Sequence, residues 1–143
     1  MRLVFNDIFT SELKEYLLSQ DGINKVSISV KDYISEINID FDKKLTPKII
    51  VKYIELFQEQ TYPAILEFDK GGNIETNVLK YTVDDMCCEY CYEGFVYDLF
   101  DNVFVKSLKS NFRPDRSAVN IELVIEYDKN YREEDLLSIL KGF

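Results

Sequence analysis

Three stretches of the chain alternate between apolar and polar residues, as expected of strands that bury one face. They are residues 25–31 (KVSISVK), 35–41 and 119–127. Successive side chains on a strand point to opposite faces, so each stretch predicts a strand with one face on a core and the other toward solvent. The short link at Asp32 and Tyr33 predicts that the first two strands form an antiparallel hairpin.

Two more strands are predicted on either side of a glycine turn. Residues 63–69 (PAILEFD) form the first, with Leu66 and Phe68 facing the core, and a second strand follows at about 74–81. The intervening KGGN is typical of a hairpin turn. Neither a lysine-serine pair nor a helix follows it, so it does not predict a phosphate-binding loop.

Apolar residues at helical spacing predict helices near the start, before the glycine turn and at the end of the chain. The first covers about 11–20. The second is TPKIIVKYIELFQEQ at 46–60, where Thr46 can cap the N-terminus and Pro47 occupies the first helical position. The third begins near Asn130, where the sequence is typical of a capping box.

Residues 83–109 also predict helical structure, with Thr82 as the cap, but their apolar side changes at Gly94. The two sides are formed by Met86, Cys87, Tyr90 and Cys91 before Gly94, and by Phe95, Val96, Leu99, Phe100 and Val103 after it. One straight helix cannot turn both sides to the same sheet. The pattern therefore favours two helices that meet at Gly94 over one long helix covered on different sides by different partners.

Taken in chain order, the predicted elements are α-β-β-α-β-β-α(α)-β-α. Strands that come in hairpins between helices are typical of an antiparallel or mixed sheet, here of about five strands, with helices mainly on one face. A doubly wound nucleotide-binding fold is not expected. No linker, repeat or low-complexity tract interrupts the pattern, so the sequence predicts a single α+β domain over residues 1–143.

The composition is that of an acidic globular protein, with 46% hydrophobic residues and a formal net charge of −9. The first residues do not resemble a signal peptide, and no stretch approaches the roughly 20 apolar residues of a membrane span, so we expect a cytoplasmic protein. The negative charge disfavours direct binding to nucleic acid or to an anionic membrane, because both attract basic surfaces. It favours a basic protein partner.

The sequence contains no histidine, which excludes Ser-His-Asp and Cys-His catalysis and imidazole-based zinc sites. Its three cysteines, Cys87, Cys88 and Cys91, include one C-x-x-C spacing but lack a second pair of ligands elsewhere. The neighbouring carboxylates also disfavour a reactive thiolate. Packed, buried thiols are the favoured interpretation. We therefore predict no catalytic residue, no metal site and no cofactor.

Residues 81–105 combine six acidic residues with seven tyrosines or phenylalanines and contain no lysine or arginine. Aromatic rings beside carboxylates suit the recognition of a basic protein, because the rings supply contact area and the carboxylates supply attraction. The alternative is an ordinary helix with an aromatic core side and a solvated acidic side. The predicted partner-binding residues are Glu89, Tyr90, Tyr92, Glu93, Asp98 and Asp101.

These features favour a small acidic cytosolic binding protein. The leading hypothesis is an immunity or inhibitor protein that neutralises a basic toxin or nuclease by direct binding. The alternatives are a chaperone for a secreted effector, and a carboxylate-based enzyme or ligand-binding domain with a pocket near Asp98 and Asp101. A structural subunit with a large self-complementary interface is a further hypothesis, and so is a homodimer.

Overall fold

The computed structural model describes residues 1–59, 63–86, 89–115 and 119–141. Within these ranges seven strands and four helices follow one another as β-α-β-β-α-β-β-α-β-β-α, which confirms the α+β class. The elements are β1 (Arg2–Phe5), α1 (Ser11–Leu18), β2 (Ile23–Lys31), β3 (Ile34–Phe41), α2 (Pro47–Gln58), β4 (Ile65–Asp69), β5 (Thr76–Asp85), α3 (Glu89–Asp101), β6 (Val105–Ser110), β7 (Val119–Asp128) and α4 (Glu133–Leu140).

The predicted number of about five strands is wrong, because β1 and β6 were not expected. Strand β1 has only four residues, of which three are buried, so it shows no alternation. Strand β6 falls where the sequence predicts helix, and a register shift between Val105 and Ser107 interrupts its pattern. Strand pairing is antiparallel, which settles the choice between an antiparallel and a mixed sheet.

The chain divides into two compact units, residues 1–65 and residues 66–143. The prediction of one domain over the whole chain stays a prediction. No helix within the described ranges has the length and apolar character needed to cross a membrane.

In the first unit, β3 lies between β2 and β1. Val26 lies opposite Ile39, so the apolar rows predicted for the two strands share one face. The predicted hairpin is confirmed: Asp32 and Tyr33 form its turn with φ angles of 53° and 65°. Two consecutive left-handed residues are the geometry of a two-residue turn that matches the strand twist, although neither of them is glycine.

The two helices of this unit begin where the sequence predicts. The Thr10 hydroxyl accepts a hydrogen bond from the Glu12 amide at 3.4 Å, at the start of α1. The Thr46 hydroxyl accepts from the Ile49 amide at 3.3 Å, and Pro47 follows as the first residue of α2. These side chains satisfy amide groups that have no partner inside a helix, which fixes both N-termini.

In the second unit the strands lie side by side as β4, β6, β7 and β5. One apolar row crosses all four strands and is made of Phe68, Leu108, Ile125 and Leu79. The closing helix is confirmed as α4, but its capping box lies two residues later than predicted: Asp135 accepts a hydrogen bond from the Arg132 amide at 3.1 Å. This sheet carries the elements of the candidate site.

Candidate functional site

Residues 89–101 form one helix, α3, so the predicted division at Gly94 is wrong. The first apolar side was assigned wrongly, because Tyr90 and Cys91 are exposed; residues 83–85, moreover, belong to β5 and not to a helix. Val83 lies opposite Ile121 of β7, and Thr82, the predicted cap, lies opposite Glu122. Tyr92 lies on the same side of α3 as Phe95, Val96 and Leu99, so one buried side continues across Gly94.

The inner face of α3 is fully apolar and aromatic. Its buried residues are Tyr92, Phe95, Val96, Leu99 and Phe100. Tyr92 is completely buried, donates a hydrogen bond from its hydroxyl to the Leu66 carbonyl oxygen at 2.8 Å, and places its ring 4.3 Å from that of Phe112. Burial raises the pKa of the Tyr92 phenol well above its usual range. Tyr92 therefore ties α3 to β4.

The opposite side of α3 faces solvent. We call it the α3 outer face; it consists of Tyr90, Cys91, Gly94, Asp98 and Asp101. At 100° per residue these positions fall within an arc of about 100°. Tyr90 is 75% exposed and lies beside the two carboxylates of this face. No lysine or arginine lies in α3.

Cys91 departs from the predicted packed thiols, because it is exposed and disulfide-bonded. The prediction of a buried thiol is wrong at this position. Cys87 and Cys88 lie outside the described residues.

The six predicted partner-binding residues occupy different environments in α3. Tyr90, Asp98 and Asp101 share the outer face, and Glu93 is half-buried beside it. Tyr92 lies in the core, out of reach of a partner in this conformation. Glu89 begins the helix, and its side chain lies outside what the structure describes. The candidate surface is therefore smaller than the sequence predicts, and it is centred on Tyr90 and Asp98.

A lysine that the sequence does not single out holds the C-terminal end of α3. The Lys70 ammonium donates a hydrogen bond to the Asn102 carbonyl oxygen at 2.8 Å, just beyond the last residue of the helix. It also lies 5.2 Å from the ring centroid of Phe100 and 5.7 Å from that of Phe68. A cation at this end complements the helix dipole, and the rings add a cation–π contribution. Burial lowers the pKa of Lys70 to about 8, against the opposing effect of Asp101.

The low pKa of Lys70 predicts a pH-dependent cost of folding. Below about pH 8 the amine is charged in both states, so the folded state carries the full desolvation cost. Between about pH 8 and the ordinary lysine pKa near 10.4, the unfolded chain binds more protons, so this cost fades as the pH rises. We expect Lys70→Met to raise the free energy of unfolding by about 1 kcal/mol at pH 7. Each pKa unit is worth ~1.4 kcal/mol of desolvation cost, from which the lost hydrogen bond and the lost cation–π contacts each subtract ~1 kcal/mol.

Urea denaturation of both proteins between pH 7 and pH 10.5 tests this expectation. The advantage of Lys70→Met should shrink steadily across that range. An advantage that is absent at pH 7, or that does not change with pH, would contradict the assignment of a partly desolvated cation at Lys70.

A second contact missed by the sequence is a buried ion pair between β4 and the segment after β6. The Glu67 carboxylate is 6% exposed and pairs with the Arg113 guanidinium, which is 27% exposed. Arg113 also donates to the Phe112 carbonyl oxygen at 2.6 Å, and the Ser110 amide donates to Glu67 at 3.4 Å. Since Phe112 packs on Tyr92, this ion pair supports the inner face of α3.

Gly94 lies in the middle of the α3 outer face without any conformational need for glycine. A Cβ atom built there would meet no atom within 4 Å. Glycine in a helix interior costs about 0.5–1 kcal/mol relative to alanine. We expect Gly94→Ala to raise the free energy of unfolding by about that amount in urea denaturation.

Gly22 supplies the matched control for this substitution. It has a φ of 94°, and its Cβ would lie 2.8 Å from Lys44 Cε, so Gly22→Ala should destabilise the protein. Equal effects at the two glycines would contradict the description of Gly94 as an open helical position.

The α3 outer face combines one aromatic ring with two exposed carboxylates, those of Asp98 and Asp101. Among the described residues, no group of three or more histidine, cysteine, aspartate or glutamate side chains is placed to hold a metal ion. Comparisons of the chain with protein-family models, curated proteins and solved structures found no match. The functional inference therefore rests on the residues themselves.

Proposed function

We propose that the chain is a small binding protein whose α3 outer face binds a basic protein. The leading candidate for that partner is a toxin or nuclease, which the chain would neutralise by covering its functional surface. The observation that carries the proposal is Tyr90, a large aromatic side chain left 75% exposed on a helix face that it shares with two carboxylates.

The arrangement of this face suits a partner rich in arginine and lysine. Asp98 and Asp101 offer acceptors for charge-assisted hydrogen bonds, which are shorter and stronger than neutral ones. The Tyr90 ring offers a flat surface on which a guanidinium or an apolar side chain packs. Gly94 leaves the space between them open, so a partner side chain can approach the helix backbone.

The charge of the whole chain supports the same interpretation. A net charge of −9 accelerates the encounter with a basic protein and disfavours acidic competitors. The enzyme hypothesis calls for carboxylates enclosed in a pocket, whereas Asp98 and Asp101 are exposed. The proposal therefore assigns them to recognition.

The experiment begins with affinity capture. Tagged protein is incubated at low salt with extract of the cells that make it, and bound proteins are eluted with increasing salt. We expect one basic protein that binds in a 1:1 complex, with a Kd that rises with ionic strength. Its toxic or nuclease activity should disappear in the complex.

Three outcomes would contradict the proposal. They are a partner that is acidic, a complex whose Kd does not respond to salt, and a complex in which the partner keeps its full activity. The last outcome would leave a binding protein but would exclude an inhibitor.

A further inference from the structure

Strand β5 forms an edge of the sheet in the second unit. Its pairing with β7 runs from Thr76 opposite Asp128 to Asp85 opposite Val119, and β5 stands last in the strand order of the described residues. The backbone groups on the outer side of such a strand are able to pair with another chain. With ten residues, β5 is long for an edge strand, since strands most often have about 5–6 residues.

Strand β5 lacks two of the features that commonly protect an edge. It contains no proline, and its register with β7 runs without a shift from Thr76 to Val83. Its charged residues are Lys80, Asp84 and Asp85. Leu79, Tyr81 and Val83 are half-buried on one face. The apolar side chains of this face are therefore only partly shielded from solvent at β5.

The opposite face of β5 carries charges of both signs. Lys80 and Asp84 are exposed there with Thr82 between them. Two copies of a chain with a net charge of −9 repel each other, so a contact between copies needs locally opposed charges. Lys80 and Asp84 supply such charges in one particular register.

We propose that β5 pairs antiparallel with β5 of a second copy of this chain, about a two-fold axis that is perpendicular to the sheet and lies midway between the two Thr82 residues. In this register Lys80 lies opposite the second copy's Asp84, and by symmetry the same pair forms twice. On the other face Tyr81 lies opposite the second copy's Val83, also twice. Two sheets join edge to edge, and both apolar rows are extended across the contact.

Neighbouring registers of the same symmetry lose this match. A two-fold axis of this kind pairs only residues that lie on the same face of the strand. The alternative registers therefore place the axis at other residues of β5, one residue apart. An axis at Lys80 places the two lysines opposite each other, which is destabilising. An axis at Tyr81 places Lys80 opposite Thr82. Only the axis at Thr82 places Lys80 opposite a carboxylate.

The test is a charge exchange within β5. Sedimentation velocity of the purified chain over a range of concentrations should show a monomer–dimer equilibrium. Lys80→Glu places two carboxylates opposite each other twice, and we expect it to weaken dimerisation by at least about 10-fold. Asp84→Lys should weaken it similarly by opposing two lysines. The double variant Lys80→Glu/Asp84→Lys restores opposite charges and should restore the dimer.

Lys109→Glu is the matched control, because it changes the net charge by the same amount on an exposed residue of β6. It should leave the dimer constant within about 2-fold. Circular dichroism confirms that each variant folds, and Asp84→Lys provides a second test if Lys80→Glu does not. A wild-type monomer at high concentration, single variants that dimerise like wild type, or a double variant that fails to recover would each overturn the proposal.

Discussion

Replacing Tyr92 by alanine is expected to lower the free energy of unfolding by about 4 kcal/mol, the usual cost of truncating a large buried aromatic residue. The Tyr92 ring is completely buried and contacts Phe112. Its hydroxyl donates to the Leu66 carbonyl oxygen, so truncation leaves a cavity and removes a buried hydrogen bond. Urea denaturation monitored by circular dichroism measures the change.

Tyr90, two positions earlier, supplies the control. Because it is 75% exposed, Tyr90→Ala should change the free energy of unfolding by no more than about 0.5 kcal/mol. Similar losses at the two tyrosines would show that the inner and outer faces of α3 are assigned incorrectly.

Replacing Arg113 by methionine is expected to lower the free energy of unfolding by about 3 kcal/mol. The substitution keeps much of the side-chain length but leaves the Glu67 carboxylate buried without its cation. Removing one partner of a buried ion pair usually costs about 3–5 kcal/mol, and we take the lower end because Arg113 is 27% exposed.

The double variant Glu67→Gln/Arg113→Met separates this cause from lost packing. Glutamine keeps the shape of glutamate and can still accept a hydrogen bond from the Ser110 amide. We expect the double variant to recover about 2 kcal/mol of the loss, since no buried charge remains. A double variant as unstable as Arg113→Met would assign the effect to packing.

Local patterns were sufficient to predict most of the fold. The alternating stretches became β2, β3 and β7, and the threonine caps fixed the starts of α1 and α2. Each of these signals depends on residues close together in the sequence. They also sufficed for the hairpin at Asp32 and Tyr33, although its left-handed angles would favour glycine.

The strand predictions failed where buried residues did not recur at a regular spacing along the sequence. A register shift in β6 breaks the alternation, so that Val105, Ser107 and Leu108 are all buried. The sequence of this strand could therefore not be distinguished from that of a polar loop or a helix. Strand β4 is buried on both faces, so alternation misplaces Glu67 toward solvent. Its partner Arg113 is 46 residues away, a distance that no local pattern spans.

The candidate surface was predicted only in part, for a related reason. Composition located all six candidate residues in α3, but it does not show which side of the helix is buried. Tyr92 was assigned to the surface because it was not joined to the apolar side of Phe95, Val96 and Leu99, with which it is buried. The side of α3 that packs in the core thus decides which tyrosine can meet a partner.

The central claim is that Tyr90 and Asp98 of the α3 outer face contact a basic partner. Isothermal titration of the captured partner against Tyr90→Ala/Asp98→Lys tests it most directly. The control is Tyr33→Ala/Glu122→Lys, which removes a tyrosine that is 77% exposed and reverses an exposed carboxylate, so that both variants raise the net charge by two.

We expect the α3 variant to raise the Kd by about 100-fold, since a hot-spot aromatic residue and a paired charge together carry ~3 kcal/mol. The control should stay within about 3-fold of wild type, because rim charges and distant residues contribute little. Equal Kd values for the two variants would contradict the claim and place the partner elsewhere on the chain.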